Sequence, residues 1–244
     1  LSFFKRPYLD VIVQKKIGAI NAGCVDIEAA CSGFIYGLSI AKQYIATGEY
    51  NTILVIGAET LSKMVDWSDR NTCILFGDGA GAVIVRAVKE CKGILSTHLG
   101  ANGQLADLID VQAGGSKHPA SHETVDKKMH YIKMMGNEVF KNAVIEMEKS
   151  LKDTLGKSKL SGKDISLLVP HQANIRIIEL LAKRMNIPMS KVYVNLYRYG
   201  NTSAASIPIA LDEALREERI KDGDVIAMVA FGAGLTMASC IIRW

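Results

Sequence analysis

Three side chains in this sequence are of the types that carry out nucleophilic acyl transfer: Cys31, His171 and Asn201. Cys31 lies between a short β-type run and a long helical pattern, and small residues surround it. A thiol at such a turn meets the positive end of the helix and its free N–H groups, which favours the nucleophilic thiolate. Because an isolated cysteine is more often a small buried side chain than a nucleophile, its interpretation depends on the other two residues.

His171 and Asn201 occupy comparable positions. His171 follows a predicted strand at 165–169 and precedes a predicted helix, and Asn201 follows a strand predicted at 192–195 and precedes a helix from Ser203. Separately, the simplest interpretations are a hydrogen-bonded structural histidine and a helix N-cap. All three residues, however, lie at carboxyl ends of predicted strands, where open α/β sheets bind their ligands. Since cysteine with histidine and asparagine is a known acyl-transfer arrangement, the sequence predicts a thioester-type active site.

The elements that must position these residues alternate between strands and helices. Short β-branched runs predict strands at 53–57, 80–85, 94–99, 165–169, 192–195, 225–230 and 236–243. Apolar residues recurring at helical spacing predict helices at 32–47, 137–155, 175–185 and 203–219. The alternation indicates an α/β fold with buried, largely parallel strands.

An internal repeat divides the chain. A cluster of small residues, a helix, a glycine and a hydrophobic strand occur in that order from Ala29 and again from Asn201. The repeat predicts two copies of one α/β lobe packed together. We assign residues 1–100 to an N-terminal lobe, 131–244 to a C-terminal lobe, and 101–130 to a surface excursion or lid, because residues 114–119 are rich in turn formers.

The composition is that of an ordinary globular chain. Its 244 residues are 49% hydrophobic and 22% charged, which excludes a disordered or collagen-like protein. No apolar run approaches the roughly 18 residues that a membrane-spanning helix needs. The net charge of +4 is too small to indicate nucleic-acid binding, but it is compatible with an acidic partner or a phosphorylated ligand.

The cysteines indicate a reducing compartment. The chain has an odd number of cysteines and no CxxC pair, so neither a disulfide framework nor a zinc finger is expected. The five cysteines are Cys24, Cys31, Cys73, Cys91 and Cys240. All but Cys91 have apolar or small neighbours, which predicts buried thiols. No signal-peptide pattern opens the chain, so we expect a cytoplasmic protein, or one of a plastid-type organelle if a transit peptide precedes it.

Two further patterns do not indicate binding sites. The glycine-rich segment GDGAG at 77–81 has GxGxG spacing and precedes a strand rather than a helix, so it predicts a backbone-packing turn and not a dinucleotide site. His118 and His122 are four residues apart, but Pro119 lies between them and argues against a shared helix face. We therefore expect no metal site.

Six stretches resemble the β-ketoacyl-acyl-carrier-protein synthase III family of the thiolase superfamily, whose members initiate type II fatty acid synthesis. They are DIEAACSGF (26–34), DRNTCILFGDGAGA (69–82), GNEVFK (136–141), PHQANIRI (170–177), GNTSAASIPIAL (200–211) and FGAGLT (231–236). They span nearly the whole chain in family order, and PHQANIRI with GNTSAAS is highly specific. The resemblance implies a thiolase-like fold, with two duplicated α/β lobes stacked in five layers (α-β-α-β-α), and a homodimer.

The resemblance also implies catalytic roles. Cys31 would take the acyl group of an acyl-CoA, typically acetyl-CoA, as a thioester. His171 and Asn201 would hydrogen-bond the thioester carbonyl of malonyl-acyl-carrier protein as decarboxylation places enolate charge on it, and donors preorganised for developing charge are effective catalysts. The backbone N–H groups of Cys31 and Ala233 would form the oxyanion hole of the acyl-enzyme.

Five further residues receive binding roles from the resemblance. Arg70, Asn174 and Phe140 fall where the family contacts CoA or its pantetheine arm. Lys141 and Arg176 would bind the acidic carrier protein. CoA thioester enters as a substrate, so no cofactor and no metal is implied, and neither nucleic acid nor membrane is an expected partner.

The sequence departs from the family at its start. In the family, about eighty residues, roughly half a small domain, precede the position where this chain begins. Arg6 stands where the family commonly has an aromatic residue that reaches the partner subunit's acyl pocket, with Phe3 and Phe4 just upstream. The chain length and branching of the acyl primer are therefore open.

Other functions remain compatible with the same three residues. One is a chalcone-synthase-like or quinolone-type acyltransferase of secondary metabolism, which would use a different extender carrier. Another is an inactive, truncated homologue that binds carrier protein. A thiolase proper is disfavoured because Cys240, the only C-terminal cysteine, lies within an apolar strand without a following glycine.

Overall fold

The computed structural model describes residues 9–88 and 91–244. Arg6, Phe3 and Phe4 lie outside these ranges. The helices in the described ranges are α1 (Leu9–Ile17), α2 (Gly33–Ala46), α3 (Arg70–Cys73), α4 (His122–Asp126), α5 (Gly136–Lys157), α6 (Ile175–Arg184), α7 (Leu196–Tyr199) and α8 (Ser206–Arg216). The strands are β1 (Thr52–Thr60), β2 (Asp78–Arg86), β3 (Gly93–Ala101), β4 (Ile109–Asp110), β5 (Lys133–Met134), β6 (Leu167–Pro170), β7 (Val225–Gly232) and β8 (Thr236–Arg243).

The four long predicted helices are present, with ends shifted by a few residues. The third begins at Ile175, where the Asn174 side chain accepts a hydrogen bond from the Arg176 N–H and so caps the helix. The fourth opens with a 3-10 turn, Ser203–Ala205, and continues as α8. No helix in the described part is long and apolar enough to cross a membrane.

The strands pair differently from the prediction of largely parallel neighbours. The main sheet has the order β3-β8-β7-β6, and only β6 and β7 run parallel; β3 with β8 and β7 with β8 are antiparallel. The separate pairs β1-β2 and β4-β5 are antiparallel as well. The expectation was wrong for β7 and β8 because residues 233–235 are too short a connection for a parallel crossover, so the two strands form a hairpin.

Two predicted strand segments are not strands. Residues 192–195 form a single parallel bridge, between Val192 and Leu168. The reason is a side chain: Gln172 Oε1 accepts the Asn195 N–H at 3.1 Å, where a strand partner would accept it, and α7 begins at the next residue. The run before Cys31 is irregular too, because the Ala29 carbonyl bonds the hydroxyl of Thr236 rather than a strand neighbour.

The core lies on both faces of the four-stranded sheet. Alternate residues of β7 point to opposite sides: Val229 joins the cluster formed with α5 and α6, and Met228 joins the cluster formed with α2 and α8. All eight residues of β7 are buried, as expected of a strand covered on both faces. On the far side, α2 packs against β1 and α8 against β2. The described layers therefore run α-β-α-β, in the order of the predicted thiolase-like stack.

The two copies of the predicted repeat have the same local structure. In each, a 3-10 turn containing one residue with positive φ (Ala30 at 46° or Ser203 at 48°) precedes an α-helix. In each, a glycine with positive φ (Gly48 at 76° or Gly223 at 85°) lies between that helix and the next strand. Left-handed backbone is costly for residues other than glycine, so its recurrence at matching positions marks a shared architecture.

The division into residues 1–100, 101–130 and 131–244 stays a prediction. Strand β3, which falls largely in the first part, pairs along its length with β8 in the main sheet. The stretch 101–130 contains β4 and α4, and Lys128 Nζ lies 2.9 Å from Asp66 Oδ2, which joins this stretch to the segment after β1.

Candidate active site

Cys31 lies in the middle of the 3-10 turn Ala30–Ser32, directly before α2. The turn packs against the β7–β8 hairpin, where the Thr236 hydroxyl donates to the Ala29 carbonyl at 2.8 Å. A Cβ atom on Gly232 would lie 2.7 Å from the backbone nitrogen of Cys31. Only glycine therefore lets the end of β7 approach the cysteine turn this closely.

The environment of the Cys31 sulfur favours the neutral thiol at rest. Burial raises the pKa of this thiol to about 11, and the negative charge of Glu59 acts in the same direction. The Ser203 hydroxyl and the backbone N–H groups of Cys31 and Ala233 lower the pKa, but by less. The expectation that the helix start favours the thiolate was therefore wrong for the resting enzyme, because loss of hydration outweighs the nearby dipoles.

The same contacts bring together the two backbone donors that the resemblance named. The backbone N–H groups of Cys31 and Ala233 both lower the pKa of the Cys31 thiol, so both lie near the sulfur. Only the backbone N–H of Ala233 is needed for this role, so a small side chain at this position is sufficient. Two convergent N–H groups beside a nucleophile are the arrangement that stabilises a tetrahedral oxyanion.

His171 directly follows β6, and its backbone N–H donates to the Val229 carbonyl at 2.8 Å. The residue is 4% exposed, and its side-chain Nδ1 lies 2.7 Å from the Ser206 Oγ. Burial lowers the pKa of the imidazole to about 4, so the ring is neutral near pH 7. Its other nitrogen, Nε2, has no hydrogen-bond partner in the described part of the chain and is available to a substrate.

Asn201 is held by backbone contacts to the segment before β2. Its N–H donates to the Leu75 carbonyl at 2.8 Å, and its carbonyl accepts the Gly77 N–H at 2.9 Å. A Cβ atom on Gly77 would lie 2.1 Å from the Tyr199 carbonyl oxygen, so this approach requires glycine. The Oδ1 atom accepts the Ser203 N–H at 2.9 Å, and the Nδ2 amide, which has no partner among residues 9–88 and 91–244, can donate to a substrate.

Gln172 connects the histidine and asparagine segments. Its Nε2 donates to the carbonyls of Pro170 at 2.8 Å and Tyr193 at 3.1 Å, and its Oε1 accepts the Asn195 N–H. Glu213 then fixes the following turn by accepting from Asn195 Nδ2 at 2.8 Å. This chain of bonds holds the segment that leads through α7 to Asn201 in one position relative to β6.

One cavity brings the candidate residues together. Cys31, His171, Asn201 and Ala233 all line a space of about 2280 Å³. The binding candidates Phe140 on α5, and Asn174 and Arg176 at the start of α6, line the cavity too. Lys141 on α5 and Arg70 on α3 are exposed and lie outside the cavity lining. The structure therefore places the three predicted catalytic residues and three of the five predicted binding residues around one cavity.

Several contributing residues had no clear signal in the sequence. Glu59, Ser203 and Ser206 act on the pKa or orientation of the candidates from distant segments, and Gln172 joins loops around them. Gln172 lies inside the motif PHQANIRI, and Ser203 and Ser206 lie inside GNTSAAS, so the motifs could have suggested these three residues. Glu59 lies within a strand and shows no pattern of its own.

The remaining cysteines differ in their burial. Cys73 and Cys240 are buried, but Cys24 is exposed like Cys91, so the expectation of a buried thiol at Cys24 was wrong. In the described ranges no group of three or more histidine, cysteine, aspartate or glutamate side chains could hold a metal ion.

The fold and this combination of side chains define a condensing enzyme of the thiolase-like class. A solved structure of 3-oxoacyl-[acyl-carrier-protein] synthase III from Aquifex aeolicus VF5 superimposes with a TM-score of 0.89 at 46% identity, over 99% of this chain and 73% of that one. The corresponding enzyme from Thermus thermophilus gives a TM-score of 0.90 at 40% identity, over 99% of this chain and 74% of that one.

Sequence comparison narrows the class to one family. Residues 25–103 match the family model described as 3-Oxoacyl-[acyl-carrier-protein (ACP)] synthase III, and residues 155–244 match that of its C-terminal part. A β-ketoacyl-[acyl-carrier-protein] synthase III of Caldanaerobacter subterraneus subsp. tengcongensis is 56% identical over 98% of this chain and 72% of its own length. The Clostridioides difficile relative is 54% identical with the same coverage. The chain belongs to the β-ketoacyl-[acyl-carrier-protein] synthase III family.

Proposed function

We propose that this chain catalyses the decarboxylative Claisen condensation of an acyl-CoA, in the first place acetyl-CoA, with malonyl-acyl-carrier protein. The product is 3-ketoacyl-acyl-carrier protein, and the reaction initiates type II fatty acid synthesis. The observation that carries the proposal is the single cavity lined by Cys31, His171 and Asn201, with two backbone N–H groups at the sulfur. Family membership at 54–56% identity supports the same reaction.

In the first half-reaction Cys31 takes the acyl group. The sulfur attacks the thioester carbonyl of acyl-CoA, a bond forms between that carbon and the Cys31 sulfur, and the bond to the CoA sulfur breaks. The thiol proton leaves with the CoA thiolate, so CoA departs as a neutral thiol. The N–H groups of Cys31 and Ala233 stabilise the oxyanion that forms on the way. Since the resting thiol is neutral, its deprotonation is part of this step.

In the second half-reaction the malonyl group loses carbon dioxide. The bond to the carboxylate carbon breaks, and its electron pair forms an enolate on the thioester of the carrier protein. His171 and Asn201 donate hydrogen bonds to the enolate oxygen from fixed positions, which costs no reorganisation during the reaction. The enolate carbon attacks the acyl-Cys31 carbonyl, a carbon–carbon bond forms, and the bond to sulfur breaks. The released thiolate takes a proton from solvent.

The entrance of the cavity suits an acidic protein carrying a pantetheine arm. Arg176 is exposed at the cavity edge on α6, and Lys141 is exposed on α5, which packs against α6. These cations attract the carrier protein, while Phe140, Asn174 and Arg70 contact CoA or pantetheine. The active form is a homodimer in the cytoplasm, the acyl-CoA is a substrate, and no metal or further cofactor takes part.

The test is a condensation assay with purified protein, acetyl-CoA and malonyl-acyl-carrier protein. We expect 3-ketoacyl-acyl-carrier protein and an equal amount of carbon dioxide, and neither product with the Cys31→Ala variant. Replacing malonyl-acyl-carrier protein with malonyl-CoA should abolish most turnover. Preference for malonyl-CoA would instead support an acyltransferase of the chalcone-synthase type. Absence of turnover with acetyl-CoA, longer and branched primers, in protein that still binds carrier protein, would support the inactive homologue.

A further inference from the structure

The role proposed for His171 depends on where the imidazole carries its proton. A neutral imidazole has one N–H, either on Nδ1 or on Nε2, and the other nitrogen is an acceptor. Nδ1 faces Ser206, so Nε2 is the nitrogen available to the substrate. If Nε2 carries the proton, the ring donates to an enolate oxygen; if it does not, the ring is a base and repels the enolate electrostatically.

Ser206, the first residue of α8, faces this ring from another segment. The residue is 2% exposed, and its Oγ lies 2.7 Å from His171 Nδ1. The same oxygen accepts the backbone N–H of Gln172 at 3.3 Å. Both contacts are buried, so water does not substitute for either.

The hydrogen-bond inventory of this serine decides between the two forms of the ring. A backbone N–H can only donate, so Ser206 Oγ accepts from Gln172 and must place its own proton elsewhere. In the described part of the chain His171 Nδ1 is the only acceptor within reach of that hydroxyl. A buried hydroxyl without an acceptor loses the hydrogen bond that water would have given it, which is unfavourable. The arrangement in which Ser206 donates to an unprotonated Nδ1 satisfies every group.

We propose that Ser206 is a positioning residue that holds His171 with its proton on Nε2, so that the ring donates to the thioester carbonyl oxygen of the malonyl group during decarboxylation. This inference rests on the proposed function and assigns to α8 a part in the second half-reaction only. Burial keeps the ring neutral near pH 7, so the choice between the two neutral forms, rather than protonation, determines what Nε2 can do.

The first test separates the two half-reactions in a Ser206→Ala variant. Acetylation of Cys31 by acetyl-CoA should proceed at the wild-type rate, because it does not need the histidine as a donor. Release of carbon dioxide from malonyl-acyl-carrier protein should fall about 10- to 100-fold, less than or comparable to the loss of an oxyanion donor. Ser206→Thr keeps the hydroxyl and should recover most of the rate.

A matched control removes a different buried hydroxyl. Ser150 on α5 is as buried as Ser206, and its Oγ lies 2.8 Å from Ser239 Oγ, away from the cavity lining. Ser150→Ala should leave the ratio of decarboxylation to acetylation unchanged. An equal drop in both rates for Ser206→Ala would show a general structural role and would overturn the proposal.

The second test reads the protonation of the histidine directly in the wild-type protein, and a variant is needed only to assign the signal. The chain has five histidines, so ¹⁵N-histidine NMR spectra of the wild type, assigned with a His171→Asn variant, can resolve the ring of His171. We expect a protonated Nε2 and an unprotonated Nδ1. A proton on Nδ1 would overturn the inference even if the condensation assay succeeds. Failure of the condensation assay with this NMR pattern intact would instead count against the proposed function alone.

Discussion

Two turns with the same backbone pack against each other beside the cavity and contribute different chemistry. The nucleophile turn (residues 29–33) and the donor turn (residues 201–206) each contain a 3-10 segment with one positive-φ residue, followed by an α-helix. Each turn is also closed by a glycine from the other copy of the repeat. A Cβ on Gly232 would lie 2.7 Å from Cys31 N, and one on Gly57 would lie 2.4 Å from the Ala204 carbonyl oxygen.

The difference between the turns is in their side chains. The nucleophile turn has small neighbours around Cys31, so its polar contacts at the sulfur come from backbone N–H groups and from Ser203 of the adjacent donor turn. The donor turn carries Asn201 and Ser206, whose side chains are fixed by hydrogen bonds within and between segments. In the proposed function, the same backbone serves two half-reactions, with acyl transfer assigned to the first turn and decarboxylation to the second.

The largest expected effect concerns the pH dependence of the nucleophile turn. Because burial raises the pKa of Cys31 to about 11, thiolate is scarce at neutral pH and increases as the pH rises. Alkylation of Cys31 by iodoacetamide should accelerate about tenfold per pH unit, or about a thousandfold from pH 7 to pH 10, since only the thiolate reacts. Mass spectrometry of the Cys31 peptide measures the rate. A plateau below about pH 8 would show a stabilised thiolate instead.

Removal of the Asn201 side-chain amide from the donor turn should slow the second half-reaction and leave the first unchanged. Asn201→Ala should lower condensation about 10²- to 10³-fold, since one preorganised donor to the developing charge is lost, and should leave acetylation of Cys31 intact. Asn142→Ala is a matched control, because that amide donates only to the Glu138 carbonyl of its own helix. An Asn201→Ala variant that also fails to acetylate would contradict the assignment of separate steps to the two turns.

Substitution of Gly232 or Gly57, the two glycines that pack against the turns, should have smaller effects that differ between the two turns. Gly232→Ala places a methyl group against Cys31 N and should slow acetylation, while Gly57→Ala should slow condensation of already acetylated enzyme. Overpacking of this kind lowers the free energy of unfolding by about 1–3 kcal/mol, which urea denaturation can measure. Gly103→Ala is the control, because a Cβ there meets nothing within 4 Å. If Gly232→Ala and Gly57→Ala slowed acetylation and condensation to the same extent, the assignment of different steps to the two turns would be wrong.

The smallest effect should come from Glu59, whose charge raises the pKa of the Cys31 thiol. Burial raises the pKa of the Glu59 carboxyl as well, and the Ser203 side chain and the Ala204 N–H lower it. Glu59→Gln should therefore lower the thiol pKa modestly and speed alkylation at pH 7–8 by about two- to fivefold. Slower alkylation in this variant would mean that Glu59 assists deprotonation of the thiol.

The helices could be predicted from sequence because their information is local. The apolar stripe of α5 and the small-residue starts of α2 and α8 are legible in the residues themselves. The pairing of strands depends on contacts that the local sequence pattern does not contain. Strands β7 and β8 are antiparallel because a three-residue connection joins them, and residues 192–195 do not form a strand because the Gln172 side chain accepts the Asn195 N–H. Neither cause has a periodic signal.

The site shows the same limit. The motifs around Cys31, His171 and Asn201 were enough to predict one shared site, and the structure has all three on one cavity, although their roles remain proposals. The sign of the thiol's pKa shift could not be predicted, because it depends on how deeply the folded chain buries the sulfur. The contact of Ser206 with His171 joins positions 35 residues apart and appears only when β6 and α8 are packed.

The most direct test of the account is the intact mass of the protein after incubation with acetyl-CoA. We predict the gain of one acetyl group, its loss in the Cys31→Ala variant, and its transfer into 3-ketoacyl product when malonyl-acyl-carrier protein is added. Folded protein that gains no acyl group from acetyl-CoA or from longer and branched acyl-CoAs would contradict the account. So would an acetyl group that persists in the Cys31→Ala variant, because the nucleophile would then lie elsewhere.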